Sequence, residues 1–242
     1  DIFHPYPRRN LQLLLSVNPR FTRGHLITNK PENPIQPPAF CMLLRKYLQG
    51  GRILRIEQPA WERILKIAVE NLHPDYGLTV YSLIFEAMGR FSNLILVDDN
   101  DTILDAVKRF PQGSKGAREI FPGQKSLAPP VPARFNPATV DSTSFEIIIH
   151  RSPSDRPLRR ILLEELMGLS NPLVLEVCAR AKVEPEATAG SLHNGEIKAV
   201  FGILKFFQEL VATGDFSPTI LLNDSGQAVD VFPYRPVHLD AG

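Results

Sequence analysis

The sequence lacks the usual raw materials of enzyme chemistry. Two cysteines in 242 residues, Cys41 and Cys178, are too few for a disulfide framework or a four-thiolate zinc site. Cys41 sits in Phe40-Cys41-Met42-Leu43-Leu44, a setting that predicts a buried, inert thiol. The histidines, at positions 4, 25, 73, 150, 193 and 238, include no His-x-x-x-His pair. Gly113-Ser114-Lys115-Gly116 lacks the spacing of a phosphate-cradling loop, and no Gly-x-Ser-x-Gly elbow occurs. No run approaches the roughly 18 apolar residues of a membrane span, and Asp1-Ile2-Phe3-His4-Pro5 does not read as a signal peptide. These absences point to a soluble, cytoplasmic binding protein with no catalytic residues, cofactor or metal.

What is present is ordinary globular composition, 43% hydrophobic and 22% charged, enough for one large domain or two small ones. The formal net charge of +1 conceals an asymmetry. Residues 1–63 carry ten Lys and Arg against four acids, and residues 108–160 repeat that ratio. Two basic segments that meet in space make a surface able to hold a phosphate backbone. Scattered, these charges only solubilise.

Hydrophobic periodicity divides the chain. Leu11–Val17 reads as a buried strand stopped by Asn18-Pro19, and the prolines at 31, 34, 37 and 38 form a rigid connector. Phe40, Leu43, Leu44, Tyr47 and Leu48 keep helical spacing, with Gly50-Gly51 as the stop. From residue 52 the period is two. A hairpin of 52–58 and 61–70 precedes strands near 78–87, 93–98 and 102–107, a β-meander. Asp98-Asp99-Asn100-Asp101 lacks the glycine and distal glutamate of a calcium loop and reads as a turn. Beyond a Pro-rich passage, Thr143–Glu146 has capping-box spacing and starts a helix over 145–150. Helices over 156–167, 172–182 and 194–213 follow, then a hairpin of 218–222 and 228–232. The organisation is a β-rich core over 1–137, a helical segment over 138–190, and a long helix and hairpin over 191–242 that return to the core.

Three passages carry nucleic-acid chemistry. Asn18-Pro19-Arg20-Phe21-Thr22-Arg23-Gly24-His25 is a strand-to-loop passage in which guanidinium groups suit phosphate and rings suit unpaired bases. Its plain alternative is a turn whose arginines pair with local carboxylates. Gly168-Leu169-Ser170 joins two helices as in a helix-hairpin-helix module, where backbone N–H groups face a phosphate. Met88-Gly89-Arg90-Phe91-Ser92-Asn93 places a cation, a ring and two hydrogen-bonding side chains in one turn.

Together these passages resemble the NFACT-N domain, long described as "fibronectin-binding protein A, N-terminal". The resemblance rests on Leu13-Leu14-Leu15-Ser16 leading into 18–25, Pro37-Pro38-Ala39-Phe40-Cys41-Met42-Leu43-Leu44-Arg45-Lys46 with Gly50-Gly51, and Met88–Leu96. Pro122-Gly123 with Pro129-Pro130, and Gly168-Leu169-Ser170, extend it over nearly the whole chain. It implies an α+β fold whose β-rich N-terminal half is like that of formamidopyrimidine-DNA glycosylases, followed by a helix-hairpin-helix-like insertion and a closing hairpin. It also implies a ribosome quality-control factor that binds obstructed large ribosomal subunits carrying peptidyl-tRNA. Such factors recruit tRNA, alanyl in bacteria, for C-terminal alanine tailing.

The family pattern normally opens with a further strand and helix and continues into a coiled coil and an RNA-binding domain. The resemblance therefore implies a portion of a longer protein that does not support tailing alone. Family members use an Asp-Arg pair for tRNA recruitment on the strand after the Gly-Gly helix, and Glu62-Arg63 occupy that position here. Strict alternation sends those two to opposite faces, so a bulge or strand end must intervene for both to touch one ligand. The expected RNA-binding residues are Arg20, Arg23, His25, Arg45, Lys46, Glu62, Arg63, Arg90, Ser92, Asn93, Gly168 and Ser170. Two alternatives stand beside this: a surface adhesin for fibronectin or fibrinogen, and a glycosylase-like DNA-binding protein. Asp1 in place of a catalytic proline, and the lack of a cysteine pair, argue against base excision.

Overall fold

Alternating apolar residues fold the first part of the chain into two antiparallel sheets. The computed structural model describes residues 1–59, 61–73, 75, 77–114, 118–129 and 133–239; Lys115, Gly116 and Pro130 of the motifs above lie outside them. The chain divides into two compact units, Asp1–Pro130 and Val131–Gly242.

In the first unit, β1 (Ile2–Pro5), β2 (Arg8–Ser16) and β3 (Arg23–Ile27) form one sheet in that order. The Pro-rich connector leads into α1 (Ala39–Leu48), which carries Arg45 and Lys46 in its last turn, where the helix dipole favours cations. Then β4 (Arg52–Glu57), β5 (Ile64–His73), β6 (Gly77–Glu86), β7 (Asn93–Val97) and β8 (Ile103–Ala106) make a five-stranded meander whose spatial order is the chain order. Ile95, Val97, Ile103, Ala106 and Ile120 form its core. The α1 exit passes so close to β5 that a Cβ on Gly51 would lie 2.6 Å from Val69 Cγ1 and 2.9 Å from the Glu70 carbonyl oxygen, which requires glycine.

Local differences from the sequence reading have physical reasons. Arg23 and His25 lie on β3, not in a loop, because Leu14 and Ser16 of β2 recruit His25 and Arg23 into register despite their polarity. The β1 strand, short and ending in proline, escaped periodicity altogether. Cys41 is half-buried, not buried. The aspartate turn is as expected: Asp98 Oδ1 accepts from the N–H groups of Asn100 (2.9 Å) and Thr102 (2.8 Å).

The second unit is built on α2 (Ser142–Arg151), α3 (Leu158–Glu165), α4 (Asn171–Ala181) and α5 (Asn194–Thr213), closed by the hairpin β9 (Thr219–Leu222) and β10 (Ala228–Phe232). The N-cap of α2 is Asp141, not Thr143: Asp141 Oδ1 accepts from the Ser144 N–H at 2.7 Å. Those bonds hold the Asp141 carboxyl below the usual carboxylate range. Burial of Ile148 and Ile149 overrides the strand preference of that isoleucine run. The long helix and hairpin over 191–242, expected to return to the β-rich core, instead send Phe232 and Tyr234 into the helical core, where the Tyr234 ring meets Phe207 at 4.9 Å between centroids. Burial pushes the Tyr234 hydroxyl up to about 12 and the Cys178 thiol up to about 11.

Glu176, on α4, is fully buried in that core. It accepts from the N–H groups of Val237 (2.8 Å) and His238 (3.1 Å), binds His238 Nδ1 at 2.6 Å, and receives Arg180 Nε at 2.6 Å. Burial alone would raise its pKa, but the bonds from His238, Val237 and Arg180 outweigh burial and hold it below the ordinary value.

Candidate nucleic-acid interface

Four pieces of the first unit meet at one end of the five-stranded sheet. The Ala87 N–H donates to the Arg63 carbonyl oxygen at 2.8 Å, extending the β5–β6 register past Ile64↔Glu86. Arg63 is thus backbone-bonded to the start of the 88–92 loop. Glu62 and Arg63 precede the first residue of β5, in a turn where the Glu62 N–H donates to the Pro59 carbonyl oxygen at 3.0 Å. This is the strand end that alternation demanded, so the two side chains are not forced to opposite faces.

The 88–92 loop is tied to the 17–22 turn by one serine. Ser92 is fully buried, and its Oγ accepts from the Met88 N–H at 2.9 Å. Thr22 Oγ1 spends its proton on the Asn18 carbonyl oxygen at 2.7 Å, so in the 2.9 Å contact between Thr22 and Ser92 the serine donates. Lys108 Nζ adds a second tie, donating to the Val17 carbonyl oxygen at 3.3 Å and the Arg90 carbonyl oxygen at 3.2 Å. Asn93, also fully buried, bonds the Lys108 peptide in both directions, Nδ2 to O at 2.8 Å and N to Oδ1 at 2.9 Å.

Ser92 and Asn93 therefore cannot be the direct RNA contacts expected of them. Their polar atoms are spent inside the protein, and they act as positioning residues. Ser92→Ala leaves the Met88 N–H without its acceptor and removes the donor to Thr22 Oγ1, which keeps its bond to Asn18. It is expected to destabilise the chain by about 1–3 kcal/mol, read from denaturant unfolding followed by Trp61 fluorescence. Unchanged unfolding would show that the serine does not anchor the loop.

The cations that ride on this scaffold are free. Arg20, Arg23, Arg63 and Arg90 are exposed, and among the described residues none has a carboxylate within ion-pair distance. Elsewhere in the unit Arg52, Arg55, Arg109 and Arg118 pair with Glu70, Glu57, Asp105 and Glu86. The plain alternative, arginines paired with local carboxylates, is not found among the described residues, where Arg23 Nη1 donates to the Phe21 carbonyl oxygen at 2.9 Å. The Phe21 and Phe91 rings differ in setting: Phe91 is half-buried and packs edge-on against Phe110 at 6.1 Å between centroids. Phe21 is exposed, and the Arg90 guanidinium lies 4.6 Å from the Phe91 ring centroid. Arg23 and His25, two residues apart on β3, share a face.

Arg45 and Lys46 do not join this cluster. Asn71 Nδ2 donates to the Tyr47 carbonyl oxygen at 2.9 Å, and the Tyr47 ring lies 5.0 Å from Tyr81. That holds the end of α1 beside residue 71, about 23 Å along β5 from residue 64 at about 3.3 Å per residue. Gly168 and Ser170 belong to the second unit. Gly168 takes φ +72°, and the Ser170 hydroxyl caps α4 by accepting from the Leu173 N–H at 3.4 Å. Among the described residues no group of three or more His, Cys, Asp or Glu is placed to hold a metal, and no helix is long and apolar enough to cross a membrane.

Lys108 was missed on sequence. A lysine whose ammonium staples two carbonyls 73 residues apart in the chain, at Val17 and Arg90, leaves no local signal.

Known proteins are similar to the chain along most of its length. The model of the NFACT N-terminal and middle domains matches residues 3–241. A Bacillus subtilis protein named Rqc2 homolog RqcH is 33% identical over 189 residues, 77% of this chain and 33% of that protein. The chain spans about a quarter to a third of the length of the curated relatives it matches. Among solved structures, a fibrinogen binding protein from Staphylococcus aureus superposes with a TM-score of 0.74 at 27% identity, over 95% of this chain and 76% of that one. The N-terminal part of a Streptococcus suis fibronectin/fibrinogen-binding protein gives 0.66 at 30% identity, over 81% and 69%.

Proposed function

Because the chain belongs to the NFACT N-terminal and middle-domain family, we propose that it is the RNA-binding part of a ribosome quality-control factor. It binds obstructed large ribosomal subunits carrying peptidyl-tRNA and helps recruit tRNA, alanyl in bacteria, for C-terminal alanine tailing. It works in the cytoplasm by binding, not by covalent chemistry. One observation carries this reading: Arg20, Arg63 and Arg90 on turns and Arg23 on β3, with no ion pair among the described residues, belong to backbone segments tied together by Ser92, by Lys108 and by the bond from Ala87 to Arg63. Unneutralised cations held close repel one another, and a polyanion relieves that repulsion. Names of relatives such as Rqc2 homolog RqcH support the same assignment.

Co-sedimentation tests it. The chain is expected to pellet with large subunits carrying peptidyl-tRNA in low salt and to remain in the supernatant as salt rises. No pelleting at any salt concentration would remove the assignment. The names of the S. aureus and S. suis neighbours favour a second reading, an adhesin for fibrinogen or fibronectin. Saturable capture on immobilised fibrinogen, with no retention on large subunits, would select it.

A further inference from the structure

We propose that the tip of the β1–β2 hairpin is a second RNA contact, specific for unpaired nucleotides. Arg8 and Arg9 hold the backbone there, and Tyr6 and Phe3 stack on bases. This rests on the RNA-binding reading above and adds a site to it.

The tip has no evident structural reason for its composition. Tyr6 is 85% exposed and Phe3 63% exposed, and neither ring meets another among the described residues. Arg8 and Arg9 are exposed and have no ion pair among the described residues. The one acid in residues 1–10, Asp1, is taken by Lys30 at 3.5 Å and neutralises neither arginine. The register pairs Pro5 with Arg8, His4 with Arg9 and Phe3 with Asn10. Alternation then puts Phe3 and Arg8 on one face of the ribbon and His4 and Arg9 on the other, with Tyr6 at the apex. Each face offers a cation, and the apex offers a ring.

The apex is also stiff. Pro5 and Pro7 flank Tyr6, and the Tyr6 N–H donates to His4 Nδ1 at 3.2 Å. A ring held out before binding loses little freedom on binding. Rings that stack and guanidinium groups that pair with phosphate match single-stranded RNA. In an A-form duplex the bases are stacked on one another, so Tyr6 would find no free face there. The tip and the 17–22 turn lie at opposite ends of β2, about 26 Å apart at roughly 3.3 Å per residue. Their contributions to affinity are separable for that reason.

The test is fluorescence anisotropy of labelled oligouridine with the 242-residue chain across a salt titration. Tyr6→Ala is expected to weaken binding about tenfold without changing the salt slope, while Tyr6→Phe binds like the parent. Arg8→Ala with Arg9→Ala is expected to lower the slope of log K against log salt by about 1.4. Melting temperatures should stay parental, since these side chains are exposed. Tip variants that bind like the parent, while an Arg20/Arg63/Arg90 alanine variant is weak, overturn this site and leave the RNA-binding reading standing. If the parent itself binds no RNA at low salt, both fall. Equal loss by Tyr6→Ala on a blunt RNA duplex overturns the unpaired-base contact. An effect seen only on phosphatidylserine vesicles assigns the tip to an anionic lipid surface instead.

Discussion

Replacing Arg20, Arg63 and Arg90 together by alanine is expected to weaken tRNA binding by about 100- to 1,000-fold at low salt. Each exposed charge-assisted contact contributes roughly 1–1.5 kcal/mol, just below the usual range for hydrogen bonds to ionised groups. The salt slope should fall by about 2–3, because each phosphate left unneutralised retains its counterions. These side chains are exposed and have no ion pair among the described residues, so the triple variant should unfold close to the parental denaturant concentration, losing only the contact of Arg90 with the Phe91 ring. Lysine at the same three positions should restore the slope but only part of the affinity, since an ammonium cannot grip phosphate bidentately. Filter binding across a salt series measures both quantities. A triple variant with parental affinity would mean that the tRNA lies elsewhere.

The largest effect on stability is expected in the second unit. Glu176→Ala should cost about 3–5 kcal/mol, the usual consequence of breaking a buried ion pair. It takes the carboxylate from Arg180, which keeps its bond to the Arg235 carbonyl oxygen, and leaves the N–H groups of Val237 and His238 without their acceptor. Hydrogen exchange should localise the loss to α4 and to residues 233–239, which Glu176 ties to that helix. The pH dependence has a definite sign. Because the folded carboxyl titrates below its unfolded value, its stabilisation is complete above the unfolded value and disappears as pH falls through the folded one. Glu176→Gln should therefore lose less stability than the parent over that acidic window, where the Asp141 and Asp105 carboxyls still titrate in both. A parent no more sensitive to acid than the variant would contradict this role for the carboxylate.

Much of the fold was legible because its contacts are local. The meander pairs each strand with its neighbour in sequence, so period-two alternation from residue 52 and the Asp98–Asp101 turn were enough to order five strands. Helix signals were similarly local: Gly50-Gly51 after α1, Pro172 in the first turn of α4, Gly214 after α5. What failed was non-local or polar. β3 is a strand because β2 recruits it, although Arg23, Gly24 and His25 carry little strand preference. Glu176 looks like a surface helix residue until Val237 and His238, about 60 residues away, close over it.

The candidate site divides along the same line. Residue types that suit RNA were visible at 20, 23, 63 and 90, but their convergence depends on Ala87 meeting Arg63 and on Lys108 joining Val17 to Arg90. Arg45 and Lys46 belong to the same sequence motif yet lie at the far end of β5, because Asn71 fixes the end of α1 there. Ser92 and Asn93 have the chemistry of a binding turn and are consumed in building it. Burial, which no single stretch of sequence displays, separates a residue that touches a ligand from one that holds the loop.

Ultraviolet crosslinking of bound tRNA, followed by mass spectrometry of the attached peptides, addresses the interface most directly. The account predicts crosslinks at Phe21 and Phe91, within peptides spanning 18–23 and 88–93, and their loss in the Arg20/Arg63/Arg90 alanine variant. Crosslinks confined to the α1 terminus around Arg45 and Tyr47, with none at Phe21 or Phe91, would contradict it.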